Sequence, residues 1–105
     1  MKKLFISQPM RGKTDKEIIA ERARAKEKAE KILGEEVEEI PSFFKGEATP
    51  DNASRSLYLL GKSIELLSMA DVAFFVKGWE EYRGCRIENQ CAIDYGITTI
   101  EDYGL

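Results

Sequence analysis

The sequence contains no histidine. That absence removes Ser-His and Cys-His nucleophile pairs and every histidine metal site. Cysteine is scarce. Cys85 and Cys91 are the only two, six positions apart on one expected helix and on different faces of it, which argues against an intrachain disulfide. Met1-Lys2-Lys3 leads straight into a short apolar run rather than a secretion signal, so free thiols in a reducing cytoplasm are expected. No apolar run approaches the roughly 18 residues of a membrane span, and no membrane partner is expected. Basic charge is not in excess: 16 Lys and Arg stand against 19 Asp and Glu, a net charge of −3. Such a chain has no general attraction to nucleic acid polymers, and any phosphate binding must be local. Nothing in the residues asks for a metal or another cofactor, and none is expected.

What is present describes an ordinary soluble globular protein, 43% hydrophobic and 33% charged, with 105 residues forming one domain over 1–105. Lys3 to Ser7 reads as a buried strand, followed by the polar loop Gln8-Pro9-Met10-Arg11-Gly12-Lys13. Thr14 and Glu17 have capping-box spacing and open a helix that Gly34 ends. Ile18, Ala25, Ala29 and Ile32 mark its apolar face, flanked by Ile19, Ala23 and Leu33, and its other face is expected to be solvated. Glu36 to Ile40 reads as an acidic edge strand. The Pro41 to Asn52 loop carries Phe43 and Phe44, expected to plug the core. A second helix begins near Asn52 to Ser54, with Leu57, Leu60, Ile64 and Leu67 as its buried stripe. Ala70 to Val76 is apolar on both faces and so a central strand. A third helix follows Gly84 and ends at Gly96, and Ile97 to Ile100 is a last short strand.

This β-α-β-α-β-α-β order predicts an α/β fold, flavodoxin-like: a doubly wound parallel sheet of about four strands, order 2-1-3-4, with helices on both faces. Ligands of such sheets sit beyond the carboxyl ends of the strands, where the winding reverses. Here the loops after Ser7 and after Val76 meet there.

Two motifs lie in those loops. Ser7 to Thr14, S-Q-P-M-R-G-K-T, falls one residue short of a phosphate-binding loop, since Ser7 stands where the first glycine belongs. Pro9 also removes a backbone donor from a loop whose work would be to present donors. A local anion site using Arg11 stands beside the plainer reading of Arg11 as a surface charge. The second motif is Gly78-Trp79, Gly84 and Glu88. With Glu88 in the first turn of the third helix, the macrodipole is expected to favour its ionised form. An ionised, oriented carboxylate can attack an anomeric carbon, as in retaining glycosidases. Against this stand a structural cap for Glu88 and simple packing for Trp79.

The stretch A-D-V-A-F-F-V-K-G-W, followed by R-G-C-R-I-E-N-Q-C-A-I-D-Y-G, resembles the signature region of the nucleoside 2-deoxyribosyltransferase superfamily, within it a compact bacterial and phage branch. F-I-S-Q-P-M-R-G resembles that family's first strand and substrate loop. The resemblance implies cleavage or transfer at the N-glycosidic bond of a nucleoside or nucleotide, with Glu88 as nucleophile. It further implies a substrate site built from Ser7, Gln8, Pro9, Met10, Arg11, Ser63, Gly78, Trp79 and Gly84. A homo-oligomer completing its own active sites is implied as well. Ser63 stands where the family usually has an aspartate, and Tyr82 where it often has a second acid. The acid assisting base departure is therefore expected to be Glu80 or Glu81, or to be missing. The alternatives are a non-catalytic nucleotide-binding module of the same fold, or a structural or interaction protein.

Overall fold

The computed structural model describes residues 1–43 and 48–104. Its elements are β1 (Lys2–Ser7), α1 (Asp15–Leu33), β2 (Val37–Glu39), α2 (Arg55–Leu67), β3 (Val72–Phe75), a 3-10 turn (Trp79–Glu81), α3 (Arg83–Asp94) and β4 (Thr98–Glu101). The four strands form one sheet in the order β2-β1-β3-β4, every pairing parallel. This is the doubly wound α/β arrangement expected of the sequence, with β1 and β3 side by side at its centre.

The alternation of side chains along β1 and β3 divides the core into two layers. Leu4, Ile6, Val72 and Phe74 point to one face and meet Ala25 and Ala29 of α1. Phe5, Ala73 and Phe75 point to the other and meet Leu67 of α2 with Cys85 and Ala92 of α3. The small alanines let α1 lie close to the sheet. Its start is fixed by the capping box: Thr14 Oγ1 accepts from the Glu17 N–H at 3.1 Å, and Glu17 Oε1 accepts from the Thr14 N–H at 2.9 Å. A cap of this kind contributes about 1 kcal/mol. Gly34 closes the helix in the left-handed region, φ 72°, where a side chain would be strained.

Several expectations change in detail. On α1, Ile19 and Ile32 are exposed (Ile32 at 63%), and Arg22, expected on the solvated face, is buried at 5%. Ile18, Arg22, Ala25 and Ala29 form the true buried stripe. Position 22 lies one helical turn after Ile18 and so on the inward side, and a guanidinium there needs partners that only the tertiary fold supplies. On α2 the stripe is mostly unrealised: Leu57 is 67% exposed, Leu60 and Ile64 are half-buried, and Leu67 alone is buried. The helix packs on the sheet by its C-terminal end only. Phe43 is half-buried and lines a groove beside Ile19, Ala23 and Lys26 on α1, so it does not plug the core. Phe44 lies outside the described residues. Strands β2 and β3 are shorter than expected, and β4 is shifted one residue toward the C-terminus. The α3 helix begins at Arg83, one residue before Gly84, so Glu88 sits in its second turn. No described helix is long and apolar enough to cross a membrane.

Candidate active site

The carboxyl ends of β1 and β3 are in register, Ser7 opposite Phe75, and the Val76 N–H donates to the Ser7 carbonyl at 2.9 Å. This pairing fixes Ser7 at the rim of the sheet, buried, with its hydroxyl free to leave the strand. The hydroxyl donates to Glu88 Oε1 of α3 at 2.6 Å. Ser63 of α2 lines the same cavity, near enough for its hydroxyl to lower the pKa of that carboxyl group. Two serines from separate elements therefore converge on one glutamate. They do so at the place where a doubly wound sheet opens a crevice.

Glu88 is 8% exposed. Burial raises its pKa to about 7, and the hydroxyls of Ser7 and Ser63 pull against that rise without cancelling it. The first-turn argument for a stabilised anion is thereby overturned. Glu88 lies one turn too deep for the helix end to dominate, and desolvation outweighs both donors. A carboxyl group that titrates near neutrality can exchange protons or accept a bond at ordinary pH. Cys85, beside it, is not a second nucleophile: burial pushes its thiol up to about 11, leaving almost no thiolate. Both cysteines are free, as expected.

Glu88 opens into a cavity of about 280 Å3. Ser7, Gln8, Pro9 and Met10 form one wall, and Gly84 with Tyr82 forms the floor at the start of α3. Ser56, Leu59, Leu60 and Ser63 of α2 form the opposite wall. The β1 loop, Ser63, Gly84 and Glu88 are thus brought together as expected. Ser42, Ser56 and Tyr82 were missed as wall residues; none carries a sequence signal beyond its position in a loop or on a helix.

Gln8 lines the cavity, yet its amide is committed elsewhere. Its nitrogen donates to the Ile18 carbonyl at 3.3 Å and to Glu21 Oε1 at 3.0 Å, and its oxygen accepts from Arg22 Nη1 at 2.9 Å. Arg22 also donates to Glu39 Oε2 at 2.8 Å, to Ser42 Oγ at 2.9 Å and to the Ile40 carbonyl at 3.3 Å. Gln8 is therefore a brace between loop and helix rather than a free ligand group.

Other expected site residues lie apart. Trp79 is buried in the core, its ring 5.5 Å from Phe75 and 6.1 Å from Tyr103, so the packing reading replaces the ligand shelf. Its indole N–H finds no partner among the described residues. Gly78 takes φ 93° to turn the chain after β3 and lies against the Pro9 ring, positioning the two loops without facing the cavity. Glu80 is exposed and offers its carbonyl, not its carboxylate, to Arg86 Nη1 at 2.8 Å. Glu81 and Arg11 line a neighbouring cavity. Neither Glu80 nor Glu81 reaches the Glu88 cavity, because the 3-10 turn Trp79–Glu81 carries them past it. Among the described residues, Glu88 is the one carboxylate lining that cavity.

Scans against protein-family models, curated proteins and solved structures return no match for this chain. Its function therefore rests on the site itself. Among the described residues, no group of three or more Cys, Asp or Glu side chains is arranged to hold a metal ion.

Proposed function

We propose that the Glu88 cavity binds the sugar of a nucleoside or nucleotide and cleaves its N-glycosidic bond through a glutamyl-sugar intermediate. The observation that carries this reading is the buried Glu88 carboxyl, hydrogen-bonded by Ser7 and titrating near 7 at the crevice of a doubly wound sheet. Its support is a resemblance in sequence together with a position suited to attack. In the first step, a Glu88 oxygen forms a bond to C1′ while the C1′–N bond breaks. Its electron pair goes to the departing base, which takes a proton from water. In the second step, water or another base attacks C1′ and releases the carboxylate. Each step inverts C1′, so the sugar leaves with its configuration retained.

The pH dependence follows from the nucleophilic role. Attack needs the ionised carboxylate, so kcat/KM is expected to rise as pH passes upward through about 7. Free base released from a panel of nucleosides and nucleotides, separated by chromatography between pH 5 and 9, checks both points. A rate that falls across that range would assign Glu88 the acid role instead. No release from any substrate would remove the glycosidic reading.

A second reading is favoured by the lone carboxylate. Two-carboxylate glycosidases place an acid opposite the nucleophile, and neither Glu80 nor Glu81 occupies that position. A binding module that holds a nucleotide without turning it over fits this gap. It predicts ligand-induced stabilisation, about 2.7 kcal/mol at a hundredfold excess over Kd, with no base released.

Self-association belongs to the same proposal. The α2 helix buries only Leu67 and leaves Leu57 exposed along the wall that carries Ser63. A second copy packed on this face would cover the apolar stripe and close the cavity. Light scattering is expected to report a dimer or larger assembly, and Leu57→Glu to shift it toward monomer. A monomer at high concentration would refute the assembly.

A further inference from the structure

Next to the Glu88 cavity lies a second one, of about 530 Å3, lined by Arg11, Arg83 and Arg86 with Glu81. Tyr82 and Gly84 line both cavities, so the two adjoin at the first turn of α3. Gly84 and Glu88 are four residues apart, about 6 Å along the helix axis. A ligand with its sugar at Glu88 would therefore extend toward the arginines within the length of a single nucleotide.

Several features make this an anion site. None of the three guanidiniums forms an ion pair among the described residues, whereas Arg22, Lys13, Lys28 and Lys31 each do. Three guanidinium charges less the Glu81 carboxylate leave the lining at +2 (3 − 1 = 2). The Tyr82 side chain does not cap α3, and the first turn holds no acidic residue, so helix N–H groups and dipole face the same space. Arg86 is held in place by the Glu80 carbonyl, which occupies one of its donors and leaves the others available. At about 530 Å3 the cavity has room for two linked phosphates as well as for one.

We propose that this arginine-lined cavity takes a pyrophosphoryl group, so that the substrate class is a nucleotide bearing a 5′-diphosphate or a longer phosphate chain, free or esterified. The identity of the nucleotide rests on the reading of Glu88 as the sugar site; the anion site itself does not. Planar guanidiniums pair with phosphate oxygens in two-pronged fashion, and two linked phosphates give three arginines separate oxygens to hold. A nucleoside lacking phosphate would leave this charge uncompensated.

Isothermal titration calorimetry with sodium pyrophosphate and with inorganic phosphate tests the site directly, using wild type, Glu88→Gln, Arg11→Gln and the double variant Arg83→Gln/Arg86→Gln. Pyrophosphate is expected to bind wild type and Glu88→Gln alike and more tightly than phosphate. Each lost guanidinium should weaken it about tenfold, and the double variant about a hundredfold. Added salt should weaken binding further. A nucleoside 5′-diphosphate should displace pyrophosphate better than the monophosphate, and the plain nucleoside should not displace it. Circular dichroism confirms that the arginine variants, altered at exposed positions, and Glu88→Gln, altered at a buried one, remain folded. Equal affinity for phosphate and pyrophosphate, no binding of either, or an unchanged double variant would overturn the proposal. Pyrophosphate binding without base release from any nucleotide would uphold the anion site while removing the glycosidic chemistry.

Discussion

Replacing Glu88 by Gln is expected to abolish base release while making the protein more stable at alkaline pH. The two effects have one cause. Glu88 carries a pKa of about 7 in the fold against 4.5 for an ordinary glutamate. Between those values the folded state holds a proton that the unfolded chain has lost. Stability from this group is therefore complete below about pH 4.5, declines as pH rises, and is gone once pH has passed through about 7. A difference of roughly 2.5 units corresponds to about 3 kcal/mol. The amide of Gln cannot ionise, so Glu88→Gln escapes this cost and should gain up to about 3 kcal/mol over wild type at pH 8. At pH 4 the two should be close. Urea unfolding of both proteins at the two pH values measures the difference. A variant destabilised at pH 8 would mean that the carboxylate is stabilised in the fold, as a helix-capping role requires, and the site would lose its claim to a perturbed nucleophile. A group kept at a cost to stability is more readily explained by function than by structure.

The second large effect is expected at Arg22, outside the Glu88 cavity. Arg22→Met keeps the stem of the side chain but removes every donor from a position 5% exposed. The Gln8 oxygen, the Ser42 hydroxyl and the Ile40 carbonyl lose a partner, and Glu39 loses its counter-ion. Breaking a buried charge network of this kind costs about 3 kcal/mol. Chemical denaturation is expected to show that loss, a large share of the 5–15 kcal/mol typical of a domain. A loss under about 1 kcal/mol would mean that the network forms weakly in solution. Because Gln8 and Ser42 also line the Glu88 cavity, the variant should weaken ligand binding even where it remains folded.

The contrast between these two residues shows what the sequence makes legible. Strand order, the cap at Thr14 and the meeting of the loops after Ser7 and Val76 follow from local patterns and from the handedness of parallel crossovers, so they are readable in advance. The place of Glu88 at the crevice is readable for the same reason. Its protonation is not, because two residues of shift in the helix start move it from the field of the helix end into a desolvated wall. Arg22 is invisible in another way. Sequence patterning treats a guanidinium as a surface group, and its burial depends on Gln8, Glu39 and Ser42 arriving from separate segments. Trp79 is the converse case: an aromatic in a site loop that the 3-10 turn folds back onto Phe75.

The shallow seating of α2 has a consequence for how the cavity meets its ligands. One wall, with Ser7 and Glu88, stands on the central strands and a helix packed along its length. The other, with Ser56, Leu59, Leu60 and Ser63, hangs on a helix anchored at Leu67. Contact density of this kind grades local opening free energy, low where few apolar contacts must be broken. Glu88 is thus held by well-packed elements, while the facing wall rests on fewer apolar contacts. Under the proposed function, a cavity so divided would keep one geometry at the anomeric carbon and tolerate variety in whatever the sugar carries.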